Sequence, residues 1–164
     1  MAVYQNTYGN APAKGLHGQI ASEEKCNKIS RTIEDTAGIA FGTPVQRGAG
    51  DHGVVAMAAG EFLGIAVLNP AVPPVAPGST LVDGYPQYFT GAFMTMGTMY
   101  VTAGAAVTDG GDVFYNTSTK RYVAAAGANI IGPLPDAVYE SSGGDGDIVE
   151  ISLRLRPVTP APAA

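Results

Sequence analysis

The chain has 164 residues, 46% of them hydrophobic, which fits one folded domain with a single core and excludes a disordered polymer. Only 14% are charged, against about 25% in an ordinary soluble domain, so the surface is suited to meeting other proteins. A formal charge of -5 argues against nucleic acid or an anionic membrane as partner, because both need a basic stripe.

The 22 glycines and 12 prolines make up about a fifth of the chain and fit short strands joined by tight turns. A single cysteine, Cys26, rules out an internal disulfide and suits a reducing compartment. The opening MAVYQNTYGNAPAKG has no apolar h-region, so no signal peptide is expected. No stretch approaches the ~18 unbroken apolar residues of a transmembrane helix.

In chain order, residues 1–19 read as an extended N-terminal arm, with Tyr4, Tyr8, Pro12 and several glycines but no helical period. Stretched out, the arm would span about 60 Å. It has no core of its own, so Tyr4 and Tyr8 are floppy, pack back on their own domain, or anchor a neighbour. Tyrosine suits anchoring because it supplies contact area with a polar tip and few rotors. Leu16, near the end of the arm, belongs to the same candidate surface.

SEEKCNKISRTIEDTAG (22–38) fits two periods. Cys26, Ile29 and Ile33 make a helical face, while Ile29, Arg31 and Ile33 make one side of a strand. The Ser-Arg-Thr-Ile run favours a strand over 28–34. GIAFGTPVQRG (38–48) reads as a strand stopped by Pro44 and followed by an edge, and FLGIAVL (62–68) as a fully buried strand. The four prolines of NPAVPPVAPGST (69–80) remove donors and fix φ, so that segment is a loop. GAFMTMGTMYVTAGAAV (91–107) is the richest core stretch, either two strands or one kinked at Gly97. Asn116, Thr117 and Ser118 lie between VFY and RYV and suit a hairpin turn better than a glycosylation site. In DIVEISLRLRP, Val149, Ile151, Leu153 and Leu155 face one way, and Glu150, Ser152, Arg154 and Arg156 face a solvated or partner-facing side. PVTPAPAA (157–164) is a short mobile Pro/Ala tail. The domain proper is then 20–156, without internal repeats. Strand spacing of roughly ten residues predicts an all-β fold, a compact barrel or jelly-roll-like sandwich.

Candidate chemistry is sparse. GGDGDIVEI (143–151) approximates a calcium-binding nonapeptide, but Ile148 stands where the aspartate is required, and such motifs work in stacked copies. Asp109 and Asp112 in TDGGDVF (108–114) offer too few oxygens for a metal. Both segments read as glycine-rich turns. Asp51 and His52 are adjacent, so on a strand they would point apart. His17, His52 and Cys26 show no zinc spacing, and there is no GxSxG or phosphate-binding loop. No catalytic, cofactor or metal residue is expected. Two rival functions remain open: a ligand- or carbohydrate-binding β module of a phage or bacterial surface structure, and a small hydrolase. The first would want clustered exposed aromatics, yet the chain has no tryptophan. The second would want a nucleophile–base pair.

The segments APAKGLHGQIAS, KISRTIEDTAGIAFGTPVQRG, FLGIAVL, the Pro-Gly loop at 76–79, MGTMYVTAGAAVTDGGDVFYN and PDAVYESSGGDGDIVEISL follow one another in an informative order. In that order the chain resembles the structural cement (capsid decoration) proteins of tailed bacteriophages, over about residues 10–155. It departs from the simplest members in a longer arm and a longer proline loop. The resemblance implies a β-rich virion protein, made in the host cytoplasm, on the outer surface of an icosahedral capsid. There it would bridge and stabilise major capsid protein subunits. It also implies a homo-oligomer, a trimer in preference to a dimer, with no cofactor and no catalytic residues. On this reading Tyr4, Tyr8, Leu16, Arg31, Arg47, Arg154 and Arg156 are the candidates for capsid or oligomer contact. The four arginines read equally well as solvated strand faces.

Overall fold

A computed structural model describes residues 14–22, 24–72, 81 and 83–154. Tyr4, Tyr8, Leu155, Arg156, the Pro/Ala tail and most of the proline loop lie outside the described residues. The described chain forms twelve strands: β1 (Asn27–Ile33), β2 (Ile39–Ala40), β3 (Pro44–Arg47), β4 (Gly53–Ala56), β5 (Phe62–Ala66), β6 (Gly84–Tyr85), β7 (Thr90–Thr102), β8 (Phe114–Asn116), β9 (Arg121–Val123), β10 (Ile130–Ile131), β11 (Ala137–Tyr139) and β12 (Ile148–Leu153).

Neighbours run β1-β4-β3-β5-β7, and β7 returns to pair with β1, closing a five-stranded barrel. Closure removes most of the sheet edge that would otherwise template aggregation. The β1–β4 pairing is parallel, with Thr32 opposite Gly53 and Ile33 opposite Val54. The other barrel pairings are antiparallel. This is the all-β barrel expected from the turn-rich composition.

Strand β7 belongs to two layers. Thr90–Met96 complete the barrel against β1, while residues 97–102 pair with β12, which in turn pairs with β11. The change of partner falls at Gly97, whose φ of +132° is closed to ordinary side chains. The kink expected at this glycine is therefore where the strand leaves the barrel. Buried side chains form two clusters where one core was expected. One fills the barrel with Ile33, Val45, Val54, Tyr85 and Phe93. The other lies where the back half of β7, β12, β11 and the β8–β9 hairpin meet, with Met99, Val101, Tyr115, Tyr122, Tyr139 and Ile151.

Strand β1 and the last strand match their expected places, but three local expectations need correction. Pro44 opens β3 instead of ending the strand before it, after a turn in which Gly42 has φ +70°. Proline is acceptable there because the first strand residue can dispense with a ladder donor. In β5 only the second half is fully buried; Phe62 and Leu63 are half-buried. Ser152, read as solvated, is only 2% exposed, and its hydroxyl donates to Glu140 Oε1 at 2.5 Å. The turns hold as expected. Gly110 and Gly146 have φ of +78° and +84°. Asp147 Oδ2 accepts from the Gly144 amide at 2.8 Å, so this carboxylate closes its own turn. Asn116 Oδ1 accepts from the amides of Ser118 and Thr119 at 2.9 and 3.1 Å, fixing the β8–β9 hairpin.

Candidate interaction surfaces

The described end of the arm is tied to the domain. Residues 18–21 lie along the back half of β7 as an added strand: the Gly18 amide donates to the Tyr100 carbonyl at 2.8 Å, the Tyr100 amide to the Gln19 carbonyl at 2.8 Å, and the Ala21 amide to the Thr98 carbonyl at 2.9 Å. Ile20 stands opposite Met99. With β12 on its other side, β7 is thereby paired along both edges. Any Cβ on Gly15 would overlap the Tyr100 ring, so only glycine lets the chain lie flat there.

His17 fastens this added strand. Its Nδ1 accepts from the Thr102 amide at 2.9 Å, and its ring tilts against Tyr122 with centroids 6.3 Å apart. Burial pushes its pKa below the ordinary 6.5, partly opposed by a hydrogen bond to the Phe41 backbone. The neutral ring therefore belongs to the folded state. Its stabilising contribution is complete above 6.5 and is lost as pH falls through the lowered native value. Amide protection factors at Gly18 and Thr102 should drop in that acidic window. His17→Ala should lower them at neutral pH and remove the acid step. An unchanged acid step in the variant would assign it to another group.

Beside the arm lies a cleft of about 680 Å³. Leu16, Ile39, Phe41, Leu68 and Leu81 give it apolar walls, and Asp35, Asp83 and Lys120 are its charged members. Leu16 is 66% exposed.

The candidate arginines are not gathered on one face. Arg31 of β1 places Nη1 2.9 Å from Nδ1 of His52. The neighbouring loop is held by Glu34, whose carboxylate accepts from the Ala49 and Gly50 amides at 2.7 and 2.8 Å. Arg47 ends β3, exposed and with no ion pair among the described residues. Arg154 sits at the other end of β1, paired with Glu24 at 2.5 Å. Arg31 lies in the second half of β1, whereas Arg154 is held by Glu24, three residues before the strand begins. Near Arg154, Glu150 has its pKa raised by burial first, then by the carboxylates of Glu140 and Glu24, with Arg154 opposing.

Tyr88 is an exposed aromatic that sequence reasoning passed over. It is 75% exposed and has φ +64°, in the turn between β6 and β7. Its signal was the turn residue Pro86 two places earlier in an otherwise aromatic run. Four other tyrosines are framework. Tyr85 donates to the Val67 carbonyl (2.8 Å), Tyr115 to Thr43 Oγ1 (3.5 Å), Tyr122 to the Gly42 carbonyl (2.6 Å) and Tyr139 to the Val123 carbonyl (3.0 Å). Burial pushes all four phenols above their ordinary pKa.

Comparison with known proteins adds the following. Residues 4–154 match the family model of the structural cement protein (E217 gp24/Pam3 gp6). A chain in the capsid of Myoviridae phage XM1 has a similar fold, with a TM-score of 0.64 and 15% identity over 93% of this chain and 98% of that one. The head fiber gp8.5 N base in bacteriophage phi29 aligns more loosely, with a TM-score of 0.43 and 9% identity over 79% and 95% of the two chains. No curated protein matches the chain.

Proposed function

The chain belongs to the structural cement proteins of phages, a capsid decoration family, and we propose that it coats the outer surface of an icosahedral head, bridging and stabilising major capsid protein subunits. The carrying observation is the family match over residues 4–154, which takes in the arm, both buried clusters and the last strand. The protein is made in the host cytoplasm and acts as a homo-oligomer, a trimer in preference to a dimer.

Physical chemistry supports this reading. Cementing makes no bond; it needs surface matched to two or more subunits, on the order of 1,200–2,000 Å² for a stable contact. A surface poor in charge lowers the desolvation cost of such contact. The arm leaves the domain from a firmly paired base, so force on it reaches the core. An extended segment can add a strand to a neighbour's sheet, with Tyr4 and Tyr8 as anchors. Leu16, Tyr88 and Arg47 supply further exposed contact on the domain itself. Arg31 and Arg154 already have partners within the chain, so their use at an interface involves exchanging those partners. Oligomerisation multiplies such contacts through effective concentration.

Removing residues 1–13 should leave the unfolding temperature nearly unchanged while weakening attachment to purified shells about tenfold or more, the loss expected for two aromatic anchors. Undiminished decoration would take the arm out of the interface. Shells without the protein should also rupture at lower temperature, and equal resistance would remove the stabilising role.

A further inference from the structure

We propose that the turn between β6 and β7 is a rigid docking edge, where Tyr88 enters an apolar recess of a shell subunit and Arg31 and Arg47 bind carboxylates on that subunit's surface. This deepens the capsid reading and rests on it, giving the domain's own contact one place and one partner chemistry.

The backbone at Tyr88 is unusual. Its φ of +64° is a left-handed conformation that a bulky residue seldom adopts. Such a conformation persists only where its surroundings hold it, and it gathers at ligand-contacting sites. Here the Tyr88 amide donates to the Ile33 carbonyl at 2.8 Å, the Ile33 amide to the Phe89 carbonyl at 3.0 Å, and the Phe89 amide to the Pro86 carbonyl at 3.1 Å. Gln87 Nε2 donates to the Glu34 carbonyl at 3.3 Å, and the Phe89 ring stacks on buried Tyr85 with centroids 5.7 Å apart. None of this covers the Tyr88 side chain, which is 75% exposed. An exposed aromatic on a fixed turn has little freedom left to lose on binding, as a contact anchor requires.

The charges beside the turn say what it meets. Arg121 and Arg154 are each paired with a carboxylate, Asp145 and Glu24. Arg31 and Arg47 have no ion pair among the described residues, and both lie near this turn. Ile33, bonded to Tyr88, stands opposite Val54 of β4, and Val54 stands opposite Arg47 of β3. Three strand spacings, about 14 Å, therefore span Tyr88 to Arg47. Arg31 lies two residues before Ile33, and its guanidinium meets the ring of His52, which brings no negative charge; a partner's carboxylate would take that place. The nearby Glu34 carboxylate is taken up by the Ala49 and Gly50 amides, and Asp51 pairs with neither arginine. Guanidinium forks match carboxylates in geometry and charge, so surface carboxylates are the complementary partner chemistry. The whole group fits within the roughly 800 Å² that one partner gives to a standard interface.

The test uses the full chain and purified shells that lack it. Tyr88→Ser should weaken attachment about tenfold or more, with the sedimentation of the free protein unchanged. Tyr88→Gly should weaken attachment as much while its unfolding temperature holds or rises, because glycine takes a left-handed backbone without strain. A merely structural tyrosine would lower the unfolding temperature and leave attachment intact, which would overturn the proposal. Arg31→Gln combined with Arg47→Gln should weaken attachment and flatten its dependence on salt between about 50 and 500 mM. An unchanged salt response would overturn the carboxylate assignment. Smaller oligomers in Tyr88→Ser would overturn the choice of partner and give the turn to a second copy. Wild-type decoration matched by both Tyr88 variants would overturn the proposal and leave the capsid reading standing. A wild-type chain that does not decorate shells would remove that reading, and the proposal with it.

Discussion

Tyr122→Ala should cost about 3–5 kcal/mol of stability, the range for truncating a buried aromatic. Tyr122 is fully buried, and its ring meets Tyr115 edge-on at 5.1 Å. Its hydroxyl reaches from the β8–β9 hairpin to the Gly42 carbonyl, in the turn between β2 and β3. The side chain thus ties the second cluster to the barrel. Tyr122→Phe keeps the ring and should cost about 1–3 kcal/mol, because the Gly42 carbonyl loses its donor in a place water does not reach. Urea unfolding monitored on both variants checks the pair. A loss below about 1 kcal/mol for the alanine variant would mean that the hairpin unfolds independently of the barrel.

Gly97→Ala should be nearly as damaging, for a different reason. A φ of +132° costs an ordinary residue about 1–3 kcal/mol before any contact is counted. The added Cβ would also stand 3.1 Å from both Cβ and Sγ of Cys26, tight enough that Cys26 would have to shift by a few tenths of an ångström. The two effects can be separated. Cys26→Gly in the same chain removes the Cβ and Sγ contacts but leaves the Cys26 Cα at 3.3 Å and the backbone strain, so it should restore only part of the lost unfolding temperature beyond its own effect. Full recovery would show that crowding, not backbone conformation, keeps glycine at this position.

Much of the fold was legible because it rests on local rules. Alternation in Val149, Ile151 and Leu153 predicted the last strand, and glycine at 97, 110 and 146 marked a kink and two turns. What escaped depends on distant partners. Ser152 reads as solvent-facing until Glu140 closes over it. Arg154 reads as available until Glu24, 130 residues away, takes it up. The division into two clusters was hidden because one unbroken strand, β7, serves both. Tyrosine is ambiguous in the same way. The pattern alone does not separate Tyr122, wholly buried, from Tyr88, largely exposed. The family was legible in the order of segments more than in any single motif.

The pairing of residues 18–21 with β7 has a mechanical consequence. Antiparallel hydrogen bonds lie perpendicular to the strands they join. Tension drawn through the arm along the β7 axis would therefore load the bonds at Gly18, Gln19 and Ala21 together, in shear, instead of unzipping them one at a time. Under the proposed attachment through the arm, a pull along β7 would meet this joint in its strong direction.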